Sequence, residues 1–277
     1  MSVPAPPSDP AMEQVVAILR ESRRYGTLHE PALRRLAAEA LRIERGNVRE
    51  AAKRAKRSLH QIFGAYLPQR PRYGRLLLAL DAALATGEDE QVRQALRSAM
   101  SHHASTRERL PILDDFYREV FSRLDAPMSV IDVACGLNPL AVPWMGLPAG
   151  CRYVALDVDE ELVAFVGACL QRLGVEGEAR VCDVLDEGVA AEADVALLLK
   201  SVPCLDQQRR GAGRAAIEEL SARRVVVSFP TRSIGGRSKG MLESYSASFE
   251  RLASGWSWER LEFPGELVYL VDKEGRR

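Results

Sequence analysis

Apolar positions in the first third of the chain recur every three to four residues, the spacing of helices that bury one face. Asp9 and Pro10 supply an N-cap and a first-turn proline for a helix over about 11–24. Leu33, Leu36, Ala37, Ala40 and Leu41 line one face of a second, about 31–45, which Gly46 stops. Asn47 caps a third, about 48–66, with Val48, Ala52, Ala55, Leu59, Ile62, Phe63 and Tyr66 on its apolar stripe. Two further helices fit about 71–85 and 88–101, which makes residues 1–104 an all-helical domain behind a proline-rich lead-in, Met1–Pro10.

The period changes after residue 105. Ser105-Thr106-Arg107-Glu108 has capping-box spacing, and a helix is expected to run on to about 124. Short β-rich runs then alternate with helical stretches: Ser129–Val133, Tyr153–Leu156, Ala179–Cys182, Val195–Leu199 and Val225–Phe229, with helices near 159–173, 207–221 and 239–253. That alternation specifies an α/β fold with a parallel, doubly wound, Rossmann-like sheet over 105–277. Runs near Trp258–Phe263 and Glu266–Val271, parted only by Pro264-Gly265, form a closing antiparallel hairpin, the mark of the methyltransferase variant of such sheets.

With 277 residues, 47 % of them hydrophobic and 27 % charged, the chain is long enough for two domains with real cores. No apolar run is long enough to span a bilayer and no signal peptide is visible, so a cytoplasmic protein with no membrane contact is expected. Five scattered cysteines and four histidines show no metal-ligand spacing, so no metal site is expected and reduced thiols are. Formal net charge is zero, yet Arg20 to Arg75 carries 15 Lys and Arg against 5 Asp and Glu. A basic half joined to an acidic remainder suggests that the helical part meets a polyanion; a solvated helical surface is the plainer alternative.

Candidate chemistry gathers at strand ends. Val130-Ile131-Asp132-Val133-Ala134-Cys135-Gly136 runs from the first strand into a turn with a single glycine. A pyrophosphate needs several close backbone approaches, so this turn suits a cofactor whose amino-acid end lies over it. Asp157, ending the second strand, is placed to accept from both ribose hydroxyls, and Asp183, ending the third, from an adenine amino group. One such acid is as readily a helix N-cap; three (Asp132, Asp157, Asp183) on successive strands favour S-adenosylmethionine over a nicotinamide. Arg109 is a candidate fork for the methionine carboxylate, with a surface arginine as the alternative.

More specific still is a set of segments in order: Lys53-Arg54-Ala55-Lys56-Arg57-Ser58-Leu59-His60, Ser105-Thr106-Arg107-Glu108-Arg109-Leu110-Pro111, Ala134-Cys135-Gly136-Leu137-Asn138-Pro139-Leu140, Pro143-Trp144-Met145-Gly146-Leu147-Pro148, Leu197-Leu198-Leu199-Lys200, Ser228-Phe229-Pro230-Thr231 and Arg237-Ser238-Lys239-Gly240-Met241. Across essentially the whole chain this set resembles the aminoglycoside-resistance 16S ribosomal RNA (guanine-N7)-methyltransferases, the Arm group of antibiotic-producing actinomycetes and resistant pathogens.

The resemblance implies a class I methyltransferase with S-adenosyl-L-methionine contacts at Tyr66, His103, Ala104, Ser105, Arg109, Ala134, Gly136, Asp157, Asp183, Val184, Leu199 and Gln208. It implies a decoding-site guanosine of the assembled small ribosomal subunit as substrate, and a block to aminoglycosides as the outcome. Guanine N7 carries no proton, so alignment rather than a general base is the expected source of rate, and no catalytic residue is assigned. Lys200 is a candidate for positioning the target, and Trp144, Met145, Phe229 and Pro230 for apolar walls. Arg20, Arg23, Arg24, Arg49, Lys53, Arg54, Lys56, Arg57, Arg70 and Arg72, with Arg232, Arg237 and Lys239 after the fifth strand, are candidate RNA contacts, and a monomer is expected. A non-catalytic RNA-binding protein with the same fold and a small-molecule methyltransferase stay open as alternatives.

Overall fold

The computed structural model describes residues 9–64, 66–67, 69–189, 192–231 and 241–275. Arg232, Arg237, Lys239 and residues 1–8 of the lead-in lie outside the described residues. The chain divides into two compact units, Met1–Ala65 and Tyr66–Arg277.

The first unit is three helices: α1 (Pro10–Arg20), α2 (Glu30–Ile43) and α3 (Val48–Ile62). Asp9 caps α1 through Ala11 N–H, and Asn47 caps α3 through Glu50 N–H, the signals read from sequence. Val15, Leu19, Leu33, Leu36, Leu59 and Ile62 form its buried centre. The helix expected to reach residue 66 stops at Ile62: the Phe63 and Gly64 amides still close i→i−4 bonds on Leu59 and His60, but at Gly64 the backbone bends so tightly that a Cβ would sit 2.4 Å from the His60 carbonyl. Tyr66 therefore leaves the helical stripe and belongs to the second unit.

In the second unit, α4 (Tyr73–Thr86) and α5 (Asp89–Met100) open the chain. Residue 104 was the expected domain boundary, but these two helices pack with the sheet unit: Tyr73 stacks on Phe165, ring centroids 4.7 Å apart, and Leu80, Leu96 and Met100 enter the sheet's core. The helix expected from 105 to 124 is broken into α6 (Ala104–Arg109), a 3₁₀ turn (Leu110–Ile112) and α7 (Leu113–Phe121), because Pro111 has no N–H to continue the ladder. No capping box forms. Ser105 lies inside α6, its hydroxyl on His103 Nδ1 at 2.9 Å, and Glu108 turns to Lys200.

The strands are β1 (Ser129–Val133), β2 (Arg152–Asp157), β3 (Gly177–Val181), β4 (Glu192–Leu199), β5 (Ser221–Pro230), β6 (Ser257–Phe263) and β7 (Glu266–Asp272). They form one sheet in the order β3-β2-β1-β4-β5-β7-β6, with β1 to β5 parallel and β7 antiparallel to both neighbours. Helices α8 (Val142–Met145), α9 (Glu160–Arg172), α10 (Val202–Gln208), α11 (Ala212–Glu219) and α12 (Met241–Leu252) complete it; the single helix expected at 207–221 is two, parted at Gly211 in the left-handed region. Alternate strand residues supply two cores: Val130, Leu197 and Val226 face α4, α5, α7 and α9, while Ile131, Leu198 and Val227 face α10 to α12. The order reverses between β1 and β4, which opens a crevice beyond their carboxyl ends, the usual seat of a ligand in this topology.

Candidate active site

Beyond β1 the chain turns through residues whose backbone most side chains avoid. Ala134 and Gly136 both have φ of 52°, and Lys200, just past β4, has φ of 60°. Left-handed alanine and lysine each cost about 1 kcal/mol, strain that a surrounding network must hold. At Gly136 glycine is obligatory for a second reason: a Cβ there would lie 2.8 Å from Cε1 of His103. Asp157 ties this turn to β2. Its Oδ2 accepts from Gly136 N–H at 2.9 Å, and its Oδ1 from Val158 and Asp159 N–H at 2.7 and 3.1 Å. Three of the roughly four acceptor directions of a carboxylate are thus filled. Asp157 offers a ligand one acceptor direction, on Oδ2, rather than the bidentate grip expected from sequence.

Burial pushes the Asp157 carboxyl up to about 6, against the pull of those three amides. A hydroxyl donor favours the ionised form, so a ligand bound through this carboxylate, as expected from sequence, would displace the proton. Cofactor affinity is accordingly expected to be flat above about pH 7 and to fall, by at most about tenfold per pH unit, below about pH 6. Calorimetric titration of S-adenosylhomocysteine from about pH 7.5 to about pH 5, alongside Asp157→Asn, checks this. An unchanged affinity across that range contradicts it.

The neighbouring strand ends bring the other expected contacts to the same edge. Cys182 N–H bonds the Asp157 carbonyl at 2.9 Å and continues the β3–β2 ladder into Asp183 and Val184. Asp183 is 4 % exposed, with Leu185 N–H on its Oδ1 and its own N–H on Glu187, so it also shapes the turn that follows. Tyr66 stacks on His103 with centroids 5.9 Å apart, accepts from Ala104 N–H at its backbone carbonyl at 2.7 Å, and accepts from Cys204 Sγ at its hydroxyl at 3.0 Å. Burial, then the charges of Arg109 and Lys200, pulls His103 down to about 4, so its ring is neutral at physiological pH. Gln208 joins through the Cys204 carbonyl at 3.2 Å. Leu199 ends β4 beside them, 8 % exposed.

Arg109 is not a surface residue: it is 1 % exposed. Its Nε and Nη2 donate to the two oxygens of Glu266 at 3.1 and 2.5 Å, while Nη1 donates to Asn138 Oδ1 at 2.8 Å and Tyr117 Oη at 3.3 Å. Glu266, also 1 % exposed, accepts from Ser228 Oγ at 2.6 Å and lies 3.4 Å from Lys200 Nζ. Burial alone would raise the Glu266 carboxyl; Arg109 and Lys200 outweigh it and hold it below the ordinary range. Lys200 is 3 % exposed and donates to Glu108 at 2.8 Å. Its ammonium is turned inward onto Glu108 and Glu266, so the expected contact with a target base would require it to leave these partners.

Sequence reasoning missed Glu266, Tyr117 and the role of Asn138. An acid heading the otherwise apolar run Leu267-Val268-Tyr269-Leu270-Val271 was a signal for a buried charge, though nothing in it pointed to a partner 157 positions away. Among the expected wall residues, Phe229 stacks on Tyr245 and meets Phe249 and Tyr269 in the core, Met145 is buried, and Trp144 lies beneath Arg93 and Arg97. Arg70 grips Asp159 and Glu161 at 2.9 and 2.5 Å, so its guanidinium holds the start of α9 rather than standing ready for phosphate. Within the first unit, Arg54 pairs with Glu44, Lys53 with Glu50 and Arg20 with Glu30, and Arg24 donates to the Gly64 carbonyl. Arg23, Arg49, Lys56, Arg57 and Arg72 form no ion pair among the described residues. No helix among them is long and apolar enough to cross a membrane, and no group of three or more His, Cys, Asp or Glu is placed to hold a metal.

Comparison with known proteins places this arrangement. A family described as "Ribosomal RNA methyltransferase (FmrO)" matches residues 21–270. A 16S rRNA (guanine(1405)-N(7))-methyltransferase of Micromonospora echinospora is 50 % identical over 265 residues, 95 % of this chain and 97 % of the relative. One of the same description from Frankia casuarinae is 47 % identical over 274 residues, 98 % and 96 % of the two chains. Among solved structures, the 16S rRNA methyltransferase RmtF in complex with S-adenosyl-L-homocysteine superposes with a TM-score of 0.80 at 35 % identity, covering 96 % of this chain and 99 % of RmtF. The 16S rRNA methylase RmtB gives 0.76 at 29 % identity, covering 95 % and 98 %.

Proposed function

This chain belongs to the ribosomal RNA methyltransferase (FmrO) family, and on that premise we propose that it transfers a methyl group from S-adenosyl-L-methionine to N7 of a guanosine in 16S rRNA. The position named in its relatives, guanine 1405, is the target this reading assigns, presented in the assembled small subunit. Methylation there would protect the decoding site from aminoglycosides. The observation that carries the reading is the joining of Asp157, the Gly136 turn, His103 and Arg109 at the carboxyl edge of β1 and β2.

The donor set fits the cofactor. Asp157 keeps one acceptor direction for a ribose hydroxyl, Asp183 stands at the next strand end for the adenine amino group, and Arg109 presents a cation for the methionine carboxylate. Gly136, bare of a Cβ, lets the His103 ring pack directly against the turn. S-adenosyl-L-methionine supplies a methyl group on a sulfonium, activated for displacement by a lone pair. The protein's task is alignment: it holds fixed dipoles and a neutral His103 in a dry edge, and it removes no proton, because N7 bears none. In a ribosomal RNA helix N7 lies in the deep major groove, so the base is expected to be flipped, at about a few kcal/mol.

Docking falls to the cations left unpaired, above all Arg49, Lys56 and Arg57 on α3. Removing Lys56 and Arg57 together is expected to lower the slope of log affinity against log salt for small subunits by about one per cation. An unchanged slope in binding titrations contradicts their assignment. The reaction itself is tested by methyl transfer to intact small subunits followed by chemical cleavage at N7-methylguanosine. A single decoding-site break is expected; incorporation without cleavage overturns guanine N7 as the target.

A further inference from the structure

We infer that Asn138 and Tyr117 are positioning residues which aim the Arg109 guanidinium at the cofactor's carboxylate, so that its hold on the ligand comes from a single N–H direction. This rests on the reading of Arg109 given above and specifies how that residue is made to work. A guanidinium has five N–H donors. Four are spent inside the protein, on Glu266 twice, on Asn138 and on Tyr117, which leaves one hydrogen on Nη2 without a partner among the described residues.

Donor and acceptor chemistry dictates how that direction is set. Arg109 only donates, so Asn138 must present its carbonyl to Nη1. The amide's other end then donates, and it does so to Asp132 Oδ2 at 2.8 Å, where Tyr153 Oη also donates at 2.7 Å. Tyr117 Oη accepts from Arg109 and must therefore hand its own hydrogen to Asn138 Oδ1. Asn138 is 3 % exposed and Tyr117 and Asp132 1 % each, so water does not compete for these bonds. The asparagine sits in the same 3₁₀ turn, Asn138–Ala141, that follows Gly136. The chain that shapes the cofactor turn thereby also fixes the arginine beside it, and neither Asn138 nor Tyr117 need touch the ligand.

Two probes separate positioning from support of the fold: S-adenosylhomocysteine, which has the amino-acid carboxylate, and 5′-methylthioadenosine, which lacks it. Binding of both is measured by calorimetry on the full chain for the parent, Asn138→Ala, Tyr117→Phe and Arg109→Lys. Asn138→Ala is expected to weaken S-adenosylhomocysteine about tenfold while leaving 5′-methylthioadenosine within about twofold. Tyr117→Phe, which removes only a hydroxyl from an aromatic cluster with Phe116 and Phe121, is expected to show the same selectivity at about threefold, and it serves if the alanine variant does not fold. Equal losses for both ligands, or none, overturn the inference. If Arg109→Lys discriminates between the probes and the other two variants do not, the positioning role alone falls; if Arg109→Lys fails to discriminate, the reading of Arg109 falls and the inference with it.

Discussion

Asp157→Ala is expected to weaken binding of S-adenosylmethionine by about 100-fold or more and to abolish protection of a susceptible host, with the protein still folded. The loss has two parts. One is the charge-assisted bond to the ligand's hydroxyl, about 1.5–3 kcal/mol, or about 10- to 200-fold. The other is the release of the Gly136, Val158 and Asp159 amides, whose common acceptor is this one carboxylate. Without it the turn that carries Ala134 at φ of 52° has lost the tether that holds its strain. The fold survives because Asp157 is the last residue of β2 and contributes to neither core. Calorimetry with the purified variant, and its circular dichroism, check both halves; undiminished cofactor binding contradicts the assigned pocket.

Glu266→Ala is expected to be the most destabilising single change at the site, at about 3–5 kcal/mol in urea unfolding. It strips the counter-charge from Arg109, which is 1 % exposed, takes the farther of two carboxylate partners from Lys200, which keeps Glu108, and leaves the Ser228 hydroxyl hydrogen without its acceptor. A buried guanidinium left without its carboxylate costs more than no charge there at all. Adding Arg109→Met to the same chain is accordingly expected to restore part of the stability, though not the cofactor binding. A cost below about 1 kcal/mol for Glu266→Ala would show that the pair is solvated and that this network is not what holds the edge together.

Much of this architecture was legible because apolar periodicity reports which faces are buried. The near-continuous apolar run Val130-Ile131-Asp132-Val133 marks a strand covered on both faces, and Pro264-Gly265 marks a hairpin whichever sheet it joins. That β7 inserts beside β5, leaving β6 at the edge, was not read from the sequence, although Leu267–Val271 is unbroken apolar while Ser257–Phe263 carries three charges, the contrast between a central and an edge strand. Local signals misled where a stronger partner existed. Ser105 and Glu108 have capping-box spacing, but the nearby His103 ring claims the one and the distant Lys200 the other. Arg70 reads as one more cation in a basic stretch until its bond to Asp159 is seen. The strand-end acids were readable since topology alone puts them at the crevice; the orientation of Arg109 was not, since it depends on a glutamate from the far end of the chain.

Everything about the site follows from a cofactor seated over the Gly136 turn between β1 and β2, and one measurement addresses that seating directly. A crystal structure of this protein with S-adenosylhomocysteine is predicted to show one ribose hydroxyl on Asp157 Oδ2, the adenine amino group at Asp183, and the amino-acid carboxylate on Nη2 of Arg109. A ligand bound away from that turn, or an Asp157 carboxylate in contact with its three amides alone, would contradict it.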